Sequence, residues 1–172
     1  LAHDAPGTLA EARRLWQEVD RPNLMIKVPG TRTCLPVIRT LLAEGINVNI
    51  TLLFAREAYS LVAEAYLAAL EERLAKGMPV DRVASVASFF ISRIDTLVDK
   101  RIDARASAAA PTDRARLEAL KGKIAVANAK QAYSLFTDHP TPVNRLPKAM
   151  QADLPAALRG KARFYRRDAP RP

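Results

Sequence analysis

Asn23-Leu-Met-Ile-Lys-Val-Pro-Gly-Thr31 is a strand-like apolar run interrupted by one charge, Lys27. No acidic residue lies near it in the sequence to pair with that charge. Burying an ammonium is costly unless it is paired or gives up its proton. A lysine kept neutral by its surroundings is a good nucleophile toward carbonyls, which is the chemistry of a Schiff base. The plainer alternative is a lysine whose stem follows the strand while its head reaches water. This segment by itself leaves both readings open, and its neighbours discriminate between them.

Upstream, Thr8-Leu-Ala-Glu11 has the pattern of a capping box. It predicts a helix with Leu9, Ala12, Leu15, Trp16 and Val19 as its apolar stripe, ended by Arg21-Pro22. Downstream, Pro29-Gly30 breaks the strand, and Thr33 opens a helix through Leu42 with Leu35, Ile38 and Leu41 on one face. Gly45 stops that helix. Ile46-Asn-Val-Asn-Ile-Thr51 then alternates strictly, with Ile46, Val48 and Ile50 on one side and Asn47, Asn49 and Thr51 on the other. A long amphipathic helix follows from Arg56 to Lys76, with Leu61, Val62, Ala65, Tyr66, Ala69 and Leu70 inward and Gly77 as terminator. Val83 to Phe90 reads as the third strand. Ile91 to Ala106 and Thr112 to Phe136 are again helical, separated near Pro111.

Strands joined by helices of this length form right-handed parallel units. No strand is followed by a Gly-rich phosphate loop, so dinucleotide-binding and P-loop folds lack their signature. A (β/α) barrel fits better, because its strands alternate inward and outward and its active site gathers at their C-terminal ends. On that geometry Lys27, Asn49, Thr51 and Ser88 converge on a common interior while the aliphatic residues pack outward on helices. A complete barrel needs about 250 residues and eight strands. The expected fold class is therefore α/β, an incomplete (β/α)8 TIM barrel of about three βα units.

Composition agrees with a globular domain: 172 residues, 49% hydrophobic and 26% charged, with no apolar stretch near membrane-spanning length. The N-terminal Leu1-Ala-His-Asp-Ala-Pro-Gly-Thr8 has neither an initiator Met nor a signal pattern, and reads as the interior of a longer gene product. The single Cys34 excludes an internal disulfide and suits a reducing cytoplasm. His3 and His139 are far apart and form no metal-binding or triad pattern, so neither a metal nor a cofactor is expected. The net charge of +9 sits mostly at the end, since residues 137–172 carry +5 of it.

Three ordered segments carry a family resemblance. They are Asn23 to Thr31 around Lys27, Glu44-Gly-Ile-Asn-Val-Asn-Ile-Thr-Leu-Leu-Phe54, and Ala84-Ser-Val-Ala-Ser-Phe-Phe-Ile-Ser-Arg-Ile-Asp95. Together they resemble transaldolase, closest to its longer bacterial form, which also occurs fused to glucose-6-phosphate isomerase. The similarity runs from Leu1 to about Phe136 and includes Gly122-Lys-Ile-Ala-Val-Ala-Asn-Ala-Lys-Gln-Ala-Tyr133. The resemblance implies a metal-free class I aldol mechanism in the non-oxidative pentose phosphate pathway. A dihydroxyacetone unit passes from sedoheptulose 7-phosphate to glyceraldehyde 3-phosphate, yielding erythrose 4-phosphate and fructose 6-phosphate. Lys27 would form the imine, Asn49 and Thr51 would bind substrate hydroxyls or the proton-relaying water, Ser88 would contact the dihydroxyacetone part, and Arg93 would pair with the sugar phosphate.

Two positions depart from the family: Arg32 and Cys34 stand where it commonly has a proline and a glycine. The resemblance also puts the family's acid/base carboxylates on strands before Leu1 and a second phosphate-binding Ser/Arg pair on a later strand. Residues 1–136 are accordingly expected to be a partial transaldolase barrel. Residues 137–172, which hold six of the twelve prolines, are expected to be a disordered or foreign tail. Sugar phosphates are the expected partners, with no membrane; homo-oligomer formation is left open. Two alternatives remain. One is a fructose-6-phosphate aldolase of the same fold. The other is a non-enzymatic fragment whose basic tail, with Phe164 and Tyr165, contacts nucleic acid, although no recognised module surrounds it.

Overall fold

The three predicted strands pair side by side in chain order, all parallel, in a computed structural model that describes residues 2–138. Helix α1 (Ala5–Val19) precedes β1 (Ile26–Pro29); a 3-10 turn (Arg32–Cys34) leads into α2 (Leu35–Glu44) and β2 (Val48–Leu53). Helix α3 (Arg56–Ala75), β3 (Ser85–Phe89), α4 (Ser92–Ala106), α5 (Pro111–Glu118) and α6 (Ile124–Asp138) follow. The result is three consecutive βα units with β2 in the centre, and helices α1, α2 and α3 in the core with the sheet. The expectations for the tail lie outside the described residues.

One face of the sheet is aliphatic and buried. Ile26, Val28, Val48 and Ile50 pack into one cluster with Ile38, Leu41 and Leu42 of α2 and Val62, Ala69 and Leu70 of α3. The strict alternation of β2 produces this division, since every second side chain of a strand faces the same way. Leu53 joins the same cluster, although simple alternation would put it on the other face. The cause is an irregularity in pairing: Ile50 faces Ala87 and Leu53 faces Phe89, so Thr51-Leu52 together stand opposite Ser88 alone. Leu52 takes up the extra residue with a φ of 60°, a left-handed conformation that costs a bulky residue about 1–2 kcal/mol.

Local chemistry moves some of the expected boundaries. Helix α1 starts before Thr8, capped by Asp4, whose Oδ1 accepts from the Gly7 amide at 2.9 Å. Thr8 instead donates its hydroxyl to the Asp4 carbonyl at 2.7 Å, so the expected capping box is not formed. Aspartate is a strong N-cap and Pro6 suits a first turn, and these two preferences outweigh the weaker box. The expected helix from Thr112 to Phe136 is divided in two, because Gly122 turns left-handed at φ 67° between α5 and α6. On α3 Leu61 is exposed rather than inward.

Arg73 ties the helix ends together. It is 8% exposed, and its guanidinium donates to the Ala43 carbonyl at 2.8 Å and to the Pro79 carbonyl at 2.9 and 2.7 Å. A buried cation held only by carbonyls near a helix C-terminus is favoured by the helix dipole. Gly30 makes a second close contact: its amide donates to the Thr51 carbonyl at 2.7 Å, and a Cβ there would meet Leu53 Cδ2 at 2.7 Å.

Replacing Arg73 by Ala strands the Ala43 and Pro79 carbonyls and is expected to cost about 2–3 kcal/mol in urea unfolding; an unchanged midpoint would contradict the role given to the guanidinium. A second expectation concerns alkaline pH. Burial pushes the Tyr59 phenol up to about 12 and raises that of Tyr66. An unfolded phenol ionises near its ordinary value of about 10, so above that pH the unfolded chain binds fewer protons than the folded one. Stability therefore falls from there to about 12, and Tyr59→Phe with Tyr66→Phe is expected to flatten that fall in pH-dependent denaturation.

Candidate active site

The opposite face of the sheet is polar. Lys27 and Asn49 are direct partners across β1 and β2, and Asn49 pairs in turn with Val86 of β3. Two residues along from Val86, and on the same face, Ser88 donates its hydroxyl to Asn49 Oδ1 at 2.7 Å. That bond occupies the amide oxygen and leaves the Asn49 Nδ2 donors facing the open side of the sheet. Lys27 is exposed, with no hydrogen bond or ion pair to any described residue. Lys27 thus stands in register with an amide–hydroxyl pair, and no carboxylate among the described residues pairs with it.

The predicted residues do not all stand alike. Thr51 faces Pro29 at the C-terminal end of β1, but it is only 8% exposed, set into the bulge with Leu52. Asn47 belongs to the structure rather than to the site: its Oδ1 accepts from the Ala84 amide at 2.8 Å and pins the start of β3. Arg93 lies in the first turn of α4, just past the C-terminal end of β3. A cation there opposes the helix dipole, so its position does nothing for α4. It forms no ion pair among the described residues, and its guanidinium carbon lies 4.8 Å from the centre of the Phe90 ring.

The seclusion expected for Lys27 is not formed by the described residues. Three strands leave the polar face without an opposite wall, so the amine meets water. Sequence reasoning also overlooked Phe54 and Asn128. Phe54 stacks on Phe90 with ring centres 4.9 Å apart and planes 13° from parallel. Asn128 of α6 donates its side-chain amide to the Phe54 carbonyl at 2.8 Å. Both residues lie within the quoted segments, but a side-chain contact between residues this far apart leaves no periodic trace.

Among the described residues no cluster of three or more His, Cys, Asp or Glu is placed to hold a metal ion. None of the described helices is long and apolar enough to cross a membrane.

Comparison with known proteins gives concordant matches. The Transaldolase/Fructose-6-phosphate aldolase family model matches residues 1–158. "Transaldolase 2" of Nostoc sp. (strain PCC 7120) is 50% identical over 138 residues, covering 79% of this chain and 36% of the relative. "Transaldolase" of Saccharopolyspora erythraea is 49% identical over 138 residues, covering 80% and 35%. "Transaldolase 2" of Nostoc punctiforme is 53% identical over 144 residues, covering 79% and 36%. The chain thus spans little more than a third of the length of the curated relatives it matches.

Exposure of the amine can be checked directly. Limited acetylation is expected to modify Lys27 to the same extent as the exposed Lys100 and Lys123, read by peptide mass mapping; selective protection of Lys27 would contradict the open face.

Proposed function

The chain belongs to the transaldolase and fructose-6-phosphate aldolase family, and we propose that its polar sheet face is one wall of a site that transfers dihydroxyacetone between sugar phosphates. The observation that carries this is the Lys27–Asn49–Ser88 arrangement: an amine without a carboxylate partner, next in register to an amide that a serine hydroxyl orients. No carboxylate among the described residues ties up the amine, and a lysine used as a nucleophile needs its lone pair.

The steps follow from these groups. The Lys27 amine adds to the ketone carbon of a ketose phosphate, and loss of water leaves a protonated imine. That imine accepts the electron pair when the C3–C4 bond breaks and the C4 hydroxyl passes its proton to the water at Thr51, so an aldose phosphate departs and an enamine remains on the lysine. The enamine carbon then attacks the aldehyde of a second aldose phosphate, and hydrolysis releases the new ketose with the amine restored. Asn49 donates from Nδ2 to a substrate hydroxyl, and Ser88 accepts from the dihydroxyacetone portion. Thr51, recessed in the bulge, suits a bound water that carries protons. Arg93 takes the phosphate, for which a guanidinium offers paired donors. This assigns a transferase in the non-oxidative pentose phosphate pathway, in the cytoplasm.

An imine-forming lysine works best when water is excluded, which the open face does not do. Grafting residues 1–138 into the corresponding segment of the Nostoc transaldolase restores a full-length barrel. The graft is expected to trap fructose 6-phosphate on Lys27 under borohydride and to transfer to erythrose 4-phosphate, with both lost in Lys27→Met. The isolated chain is expected to trap far more slowly. Release of free dihydroxyacetone without transfer would point to the aldolase branch of the family. Absence of any adduct at Lys27 in a folded graft would sink the assignment.

A further inference from the structure

The bulge in β2 has a consequence at the end of the sheet. Continued without interruption from Ile50 opposite Ala87, the pairing would set Thr51 against Ser88, Leu52 against Phe89 and Leu53 against Phe90. The extra residue delays β2 by one place: Leu53 faces Phe89, and Phe54 comes next, level with Phe90. The Phe90 amide donates to the Leu53 carbonyl at 2.8 Å, which holds this shifted alignment at its far end. The left-handed Leu52 is therefore the cost of bringing Phe54 onto Phe90, and strain of that kind persists only where its surroundings enforce it.

Phe54 gains little from burial there, being 37% exposed. What it contacts is Phe90, ring on ring at 4.9 Å, and Phe90 carries the Arg93 guanidinium at 4.8 Å. A long exposed arginine without an acidic partner samples many rotamers, and an aromatic face reduces that freedom. The Asn128 bond to the Phe54 carbonyl fastens the assembly to α6 from the other side.

We propose that Phe54 is a positioning residue which, through Phe90, holds Arg93 ready for a phosphate dianion. This rests on the reading of Arg93 as the phosphate-binding group. Phe54 itself does not touch the anion; it fixes the ring on which the guanidinium lies. The extra residue at Leu52 serves to bring it there.

The full chain, labelled with nitrogen-15, tests this by nuclear magnetic resonance. The Nε–H signal of Arg93, assigned by its loss in Arg93→Lys, is expected upfield of the ordinary arginine position because of the Phe90 ring, and to shift on titration with inorganic phosphate. Phe54→Leu is expected to return the signal toward the ordinary position and to weaken phosphate binding about two- to fivefold, the factor a cation–π contact of an exposed pair represents. Phe54→Tyr keeps the ring and is expected to keep both readouts. Backbone amide spectra confirm that each variant remains folded. An Arg93 signal without an upfield shift in the parent chain overturns the proposal, as does Phe54→Leu behaving like the parent or Phe54→Tyr behaving like Leu. A parent signal that ignores phosphate overturns it too. Failure of Lys27 trapping, by contrast, would leave all these readouts in place, so the two readings fail separately.

Discussion

Parallel pairing of β1 with β2, Ile26 against Val48 and Lys27 against Asn49, is the constraint on which the other features depend. Side chains of a strand alternate, so slipping either strand by one place would send its aliphatic residues to water and its polar ones into the helices. The aliphatic face prevents that slip. Val48 and Ile50 are buried beneath α2 and α3, and exposing even one of them would forfeit about 1.5–3 kcal/mol. The polar face is thus held in register by residues that do not belong to it. Lys27 has Asn49 as its neighbour because Ile26 and Val28 have nowhere else to go.

Support for the site comes from several levels of the fold. Gly30 lets the turn after β1 come close enough to β2 to bond the Thr51 carbonyl. Arg73 ties the end of α2 to the loop after α3, and Asn47 anchors the start of β3. Arg73 and Asn47 act at the N-terminal ends of the strands, and Gly30 acts at the C-terminal end, where Arg93, Phe90 and Phe54 also gather.

How much of this could be read from the sequence depended on the range of the interaction. The alternation from Ile46 to Thr51 revealed both faces of β2, and the helix lengths between strands implied parallel pairing. Lys27 and Asn49 could be placed on one face from period alone. The bulge could not, because nothing about a leucine announces a left-handed backbone, and Leu52 adopts it only under the pull of β3. Two local signals were present but outranked. Asp4 ahead of Pro6 is a stronger start than Thr8, and Gly122 divides a run whose helical composition continues across it. The exposure of Lys27 was also beyond local reasoning. Whether a lysine on a strand is secluded depends on what stands opposite the sheet, and no segment encodes its own opposite wall.

The outer borders of β1 and β3 have no strand beside them among the described residues. Their outward amide and carbonyl groups offer a template for pairing, and among the described residues neither border is closed by a neighbouring ladder. Any extended segment with the right alternation could zip onto them, whether from the same polypeptide or from another molecule. The pattern that shapes the described residues thus also leaves two flanks of their sheet to which a further strand could add.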